Sequence, residues 1–425
     1  GRLNCHELHP RPYPGGNRIR RGTGRHAGNH RLVLPIQDPP DRGNPRSMRP
    51  EGPDSRTCRD HGDAGDGGGV TGGVGGVRYQ VLARRRGKGE LRRFTLPVVT
   101  FTPWQAEWEL PYLASVNAFA TVAPGTVLLA TYLYTRIYTS TDYGETWEHT
   151  HSWDSSSGYV EHIVNAGNGN VVMGGLNRTD VFYSSDYGIT WTKGSSPATG
   201  YLFDMVFDGE GQLFASYGND ASVMRSTNNG KNWYRMGTPD TGWYRWTRTN
   251  SIVPLGSGVL LAGTWSEYNH YGPPDYPGGV YRSNNNGVNW TRLYLFDGGE
   301  TETSVNKLLY LGGGAVLAMV SFHDTETYKF YRSSDYGNTW TEIILGPGEY
   351  RVLDMITLGY GKALISIKHN NTSGKFFLTK NYGVTWAEII DIGKNIFADK
   401  LHATTPQIIL AGAGQKVLKF TALGL

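Results

Sequence analysis

Cysteine is almost absent. The 425 residues hold two, Cys5 and Cys58, both within the first 90. A disulfide between them would need an oxidising compartment. The rest of the chain must be stable with neither disulfides nor a thiolate metal site. Methionine is scarce, at 7. No run of 18 apolar residues occurs, so no membrane-spanning helix is expected. The chain starts at Gly1 and shows no signal-peptide pattern, which points to a processed, trimmed or misassigned start. Also missing are G-x-S-x-G, H-E-x-x-H and a phosphate-binding P-loop, and with them three common catalytic classes.

What is abundant is glycine, at 58, and aromatic residues, at 12%, with 26 Tyr and 12 Trp. That mixture favours many short strands joined by tight turns. The net charge of +4 hides a split. Residues 1–90 carry 16 Arg and one Lys against nine acidic residues, about +8, leaving about −4 for the remainder. Stretches such as "QDPPDRGNPRSMRPEGPD" and "GDAGDGGGVTGGVGG" have almost no periodic apolar residues, so they cannot bury enough surface to offset their ordering entropy. Residues 1–90 therefore read as a low-complexity Arg/Gly/Pro-rich arm. It is either an assembly arm that contacts further copies or binds a polyanion, or a linker, propeptide or translation artefact. No specific nucleic-acid binding is expected.

From about Leu91 the chain repeats itself. "STDYGETW" (Ser140–Trp147), "SSDYGITW" (Ser184–Trp191), "STNNGKNW" (Ser226–Trp233), "SNNNGVNW" (Ser283–Trp290), "SSDYGNTW" (Ser333–Trp340) and "TKNYGVTW" (Thr379–Trp386) are six copies of one phrase. Their Trp residues lie 44, 42, 57, 50 and 46 apart, the period of a four-stranded propeller blade. Upstream of the second copy, "YVEHIVNA", "VVMGGL" and "DVFYSS" read as strands separated by Gly/Asn turns.

A second position recurs near the start of each first strand: Asn117, Glu161, Asp204, Asn250, Asn306, Asp354 and Asp399. That is seven, one more than the phrases, and the last unit lacks a fourth strand. The segment "TPWQAEWELP" around Trp104 and Trp108 has the character to supply it. The fold expected is all-β: a seven-bladed β-propeller of four-stranded antiparallel blades over residues 91–425, closed by an N-terminal strand, with an irregular arm. Closure removes exposed sheet edges.

The phrase S-x-D-x-G-x-T-W resembles the Asp box, or BNR repeat. That repeat occurs in sialidases, sortilin-type receptor domains, xyloglucan-degrading propellers and photosystem assembly factors. The resemblance covers about Trp104 to Leu425. It implies a hairpin between third and fourth strands, far from the active face. The chemistry of the phrase agrees. Asp142, Asp186, Asn228, Asn285, Asp335 and Asn381 can accept hydrogen bonds from their own turns, the glycine supplies φ > 0, and the Trp fills the gap between sheets. Asn in three copies suits a turn better than a metal or catalytic site.

Function is then expected on the opposite face, in loops rich in aromatic side chains. Candidate ligand-binding residues are Trp153, Tyr201, Trp243, Tyr244, Trp246, Trp265, Tyr268, Tyr271, Tyr350 and Arg351, which suit sugar rings and protein interfaces alike. The seven repeated polar residues are expected at the channel mouth. Four are acidic: Glu161, Asp204, Asp354 and Asp399. Two suitably separated carboxylates run glycoside hydrolysis, and such a ring also leaves room for a channel cation, although no cofactor is expected. A sialidase should show F/Y-R-I-P before its first box, but "YTRIYTS" has Tyr138 in place of Pro. Arg225, Arg282 and Arg332 precede box serines as strand residues rather than an anion clamp. Asn177, Asn289, Asn370 and Asn371 match glycosylation sequons.

The reading that follows is a non-catalytic extracellular, virion or cell-surface module, an adhesin or assembly subunit, whose partner is a glycan or a surface protein. The alternative is a xyloglucanase-like or sialidase-like glycoside hydrolase.

Overall fold

The computed structural model describes residues 80–84, 91–95, 100–101, 106–110, 115–132, 136–153, 159–175, 178–196, 198, 200–218, 221–239, 248–265, 278–296, 303–323 and 325–423. Among them the regular structure is β-strand, without an α-helix. The chain divides into two units. Of the smaller, one antiparallel hairpin is described, Gln80–Arg84 with Leu91–Thr95. It straddles residue 90, where the composition changes.

The larger unit, which takes in Pro97 to Leu425, is a series of antiparallel meanders. The first comprises Val116–Ala123, Thr126–Thr131, Arg136–Ser140 and Glu148–Ser152. The second to sixth open with His162–Gly167, Leu202–Phe207, Arg248–Gly256, Thr303–Gly312 and Tyr350–Gly359. Each has four strands. The fourth and fifth are joined by one bridging pair, Trp265 with Ser304, into an eight-stranded sheet. The C-terminal meander has three strands, Lys400–Thr405, Ile408–Ala413 and Lys416–Leu423. Along the last of these runs Ala106–Glu109, with Trp108 opposite Val417.

The pattern of the chain explains the burial. Second strands are short apolar runs, such as Val171-Val172-Met173, and are buried on both faces. Neighbouring meanders share apolar clusters. Ala118, Leu128 and Ile137 of the first pack with Ile163 and Met173 of the second. Leu410 and Val417 of the C-terminal meander meet Phe119, Leu129 and Tyr138 of the first in the same way. Each Leu, Ile, Val, Met or Phe among them contributes roughly 1.5–3 kcal/mol when fully buried.

The box turns hold themselves together. Ser184 Oγ donates to Asp186 Oδ1 at 2.7 Å and accepts the Gly188 N–H at 2.9 Å, while Asp186 accepts the Thr190 N–H at 2.8 Å. Burial acts upward on the Asp186 carboxyl, but hydrogen bonds from Ser184, Thr190 and Ile189 outweigh it and hold the pKa at about 2. Asp142 sits at about 2 for the same reasons. Where Asn replaces Asp, the oxygen does the same work: Asn228 accepts the Asn232 N–H at 2.9 Å and Asn381 the Thr385 N–H at 2.9 Å. The glycine of the box is packed against the preceding sheet. A Cβ on Gly188, whose φ is +88°, would lie 2.6 Å from Leu128 Cδ1. Box tryptophans also reach back one sheet, Trp340 to Phe296 at 5.7 Å and Trp386 to Phe330 at 5.5 Å.

Candidate functional site

The boxes fix which end of the meanders is which. Tyr187 N–H bonds the Gly169 carbonyl at 2.8 Å, and Tyr382 N–H bonds Gly361 at 2.7 Å. The turn between the first two strands and the box turn therefore share one end. The loops joining second to third strands, and one meander to the next, share the other.

At that other end the first strands are bulged. Register slips fall between Val116 and Ala118, Leu202 and Asp204, Thr249 and Ser251, Val305 and Lys307, and Val352 and Asp354. A bulge leaves one residue unpaired and re-aims the neighbouring side chains. Around these bulges is a cavity of about 730 Å³. Its lining includes all seven repeated polar residues: Asn117, Glu161, Asp204, Asn250, Asn306, Asp354 and Asp399.

Two of the four carboxylates are bonded into the frame. Asp204 accepts the Met205 N–H at 2.9 Å on one oxygen and, on the other, the Ile252 N–H at 2.9 Å and Ser251 Oγ–H at 3.1 Å. Asp354 accepts the Met355 N–H at 2.8 Å and the Leu401 N–H at 2.7 Å, and Lys307 Nζ as well. Each thereby staples its own strand to the next meander. Asn117 does likewise through the Val160 carbonyl at 3.1 Å, and Asn250 through Ser304 Oγ at 2.9 Å. Asp399 is different: no side-chain hydrogen bond of its carboxyl is seen among the described residues. Burial raises its pKa against the pull of Lys400 and Arg351. Glu161 also lines the cavity without a side-chain bond among those residues. His162 Nε2 contacts the Phe203 carbonyl at 2.9 Å, and burial lowers its pKa although Asp204 acts the other way. No group of three or more His, Cys, Asp or Glu is placed to hold a metal among the described residues.

The aromatic candidates divide. Trp153 is packed between the first two meanders, 5.9 Å from Phe182 and 6.3 Å from Trp191. The Tyr350 hydroxyl is taken up by its own loop, accepting the Leu345 N–H at 2.8 Å and donating to the Gly346 carbonyl at 2.9 Å. Tyr201 is 41% exposed. Trp265 lies under the Arg248 guanidinium at 4.4 Å, and Arg351 lies over Tyr328 at 4.1 Å. Trp243, Tyr244, Trp246, Tyr268 and Tyr271 lie outside the described residues. A second cavity of about 1020 Å³ shares His323, Tyr328 and Arg351 with the first.

Sequence reasoning passed over Arg248, Lys307, Tyr328 and Lys400. Lys307 and Lys400 directly follow ring residues, and Arg248 stands two before Asn250, so the repeat register was the available signal. Arg282 and Arg332 bind box turns, Arg332 Nε donating to the Tyr382 carbonyl at 2.6 Å and Arg282 Nε to Asn284 Oδ1 at 2.8 Å. They stand at the box end and form no anion clamp.

The sequence matches the BNR-Asp box repeat over residues 330–343 and the BNR/Asp-box repeat over 138–149 and 182–193. No curated protein matches it. Solved structures resemble it in fold. YCF48 bound to a D1 peptide aligns at 16% identity and TM-score 0.56, over 75% of this chain and 95% of that one. Virginiamycin B lyase from Staphylococcus aureus aligns at 13% and 0.56, over 76% and 99%. The GH74 xyloglucanase from Xanthomonas campestris aligns at 12% and 0.54, over 76% of this chain and 53% of that one.

Proposed function

Since this chain is a β-propeller built on BNR/Asp-box repeats, we propose that it is a non-catalytic binding and assembly module whose recognition face is the channel mouth, opposite the boxes. The observation that carries this reading is the bonding of Asp204 and Asp354. Each oxygen of these carboxylates accepts a backbone N–H, which makes the pair struts of the frame rather than reactive groups. We read the meanders as seven blades of one ring, closed by Ala106–Glu109 on the last. Trp108 opposite Val417, and the cluster of Leu410 with Leu129, support that reading. The partner is a glycan or a surface protein, met outside the cell or on a virion or appendage. An arm near +8 beside a body near −4 supports contact between copies.

The test is a glycan and protein array run beside a hydrolysis screen. Binding that disappears in Tyr201→Ala, without turnover in the parent protein, is the expected result. A glycoside hydrolase remains the second reading, because Asp399 and Glu161 are not bonded into the frame and burial favours the protonated form of Asp399. Polysaccharide turnover lost in both Asp399→Asn and Glu161→Gln would establish it and overturn the first.

A further inference from the structure

We propose that the channel-mouth rim selects an acidic polysaccharide, through Arg248 and Arg351 acting with the exposed rings of Tyr132 and Tyr201. The inference rests on the binding face proposed above and names its ligand class.

The aromatic rings on one arc of the rim are not free to stack on sugars. The Arg248 guanidinium lies 4.4 Å from the Trp265 ring and 5.3 Å from the Phe203 ring, between two meanders. Arg351 covers Tyr328 at 4.1 Å. His323 meets Trp265 edge-on at 6.3 Å. A guanidinium lying on a ring keeps its N–H donors in plane, along its edge. Its conformation is already restricted, so less entropy is lost when an anion binds. The ring is thus a support and the fork is the recognition element.

Two other cations nearby have anionic partners, whereas Lys368 and Lys400, which also line the cavities, are in no ion pair among the described residues. Lys307 is paired with Asp354, and Lys329 with Glu342 at 3.3 Å. Among the described residues no ion pair includes Arg248 or Arg351. They belong to the fourth and sixth meanders, with the whole fifth between them. Two forks on different meanders offer two anion sites, which a chain with repeated charges can fill together.

The other arc supplies what a sugar ring needs. Tyr132 and Tyr159 stack at 4.3 Å with an interplanar angle of 18°, and Tyr132 is 37% exposed. Tyr201 is 41% exposed and opens the third meander. No cation lies over Tyr132, Tyr159 or Tyr201 among the described residues. The exposed Tyr201 ring, the outer face of the stacked tyrosine pair and two forks outside any ion pair match a polymer of pyranose rings bearing carboxylates or sulfate esters, although the Arg351 charge also acts on Asp399.

The test uses the full chain. Because a basic arm would attract polyanions whatever the rim does, the readout is the change on substitution. Affinities for polygalacturonate, dextran sulfate, neutral dextran and poly-glutamate are measured for the parent, Arg248→Ala, Arg351→Ala, Arg351→Lys, Tyr201→Ala and the charge-matched control Arg292→Ala. Thermal melts confirm folding. The expected result is about tenfold weaker binding of polygalacturonate or dextran sulfate for each Arg→Ala change, from loss of a charge-assisted hydrogen bond. Arg351→Lys should be weakened too, because the fork is lost, and Tyr201→Ala should also weaken binding. The two acidic polymers separate carboxylate from sulfate recognition. The proposal is overturned by binding that Arg292→Ala reduces equally, or by no response to either Arg248→Ala or Arg351→Ala. Poly-glutamate binding that ignores Tyr201→Ala would overturn it in favour of an acidic peptide. A neutral glycan lost in Tyr201→Ala alone would sink the inference and leave the binding face intact. Ligand loss on Ile189→Glu, at the box end, would sink both.

Discussion

Thr121 Oγ1 and His402 Nε2 hydrogen-bond at 2.8 Å, joining the first strand of the first meander to the first strand of the last. The imidazole also stacks on Phe119 at 5.9 Å. The contact lies at the seam where the two ends of the repeat array meet. Burial pushes the His402 pKa down to about 4, with Asp354 pulling weakly upward.

That depression makes the seam sensitive to acid. The unfolded imidazole titrates near its ordinary value of about 6.5, so the unfolded chain takes up the proton first. Stability from this group is complete above that pH and declines as pH falls towards about 4. Melting temperature should therefore fall over this window, and His402→Gln should flatten that part of the profile. A parent and variant with parallel curves from neutral pH to about 4 would show that His402 is not the titrating group.

A second acid transition belongs to the boxes. Asp142 and Asp186 are held at about 2, below the unfolded carboxyl at about 3.9. Their contribution is present above the unfolded value and is lost as pH falls through the folded one. Asp186→Asn should largely remove this transition for its own box at small cost at neutral pH, because Asn fills the same place in three boxes. Asp186→Ala removes the acceptor of the exposed Thr190 N–H and should lose about 0.5–1.5 kcal/mol in urea titrations. Equal losses for Asn and Ala would rule out the turn-acceptor role.

Gly188→Ala tests the packing of a box on the sheet before it. The new methyl needs φ near +88° and meets Leu128 Cδ1 at 2.6 Å. Strain and overpacking together should cost about 2–4 kcal/mol. If the methyl contact matters, Leu128→Ala in the Gly188→Ala background should cost less than Leu128→Ala alone; strictly additive unfolding energies would argue against it.

The parts of this fold that repeat were legible in the sequence, and the parts made by contact between repeats were not. The box letters gave the turn, its end of the molecule and the spacing of the sheets, because all of that chemistry is local. The seven polar positions were legible as a register, and they do line one cavity. What they do there was hidden. Asp204 and Asp354 bond N–H groups of Ile252 and Leu401, each 47 or 48 residues away, and no local pattern announces such a partner. Nor does it announce the bulges that aim them. Trp265 read as a sugar platform because its own loop is aromatic, while Arg248, which covers it, comes from the paired strand.

Asp354 offers the sharpest separation of frame from chemistry. Asp354→Ala removes the acceptor of the Leu401 and Met355 N–H groups and the counter-charge of Lys307 at once. Leaving those donors buried without a partner should cost about 2–4 kcal/mol. Asp354→Asn turns one carboxylate oxygen into a donor that must face another donor, so it should lose stability too, by a lesser amount. Lys307→Met combined with Asp354→Ala removes the stranded charge, and the double variant should recover part of the loss in an unfolding cycle. A folded Asp354→Asn protein should still bind its ligand, because the struts hold the rim rather than touch what rests on it. An unfolding free energy within about 0.5 kcal/mol of the parent, paired with a loss of ligand binding or turnover, would make Asp354 a functional group and not a strut.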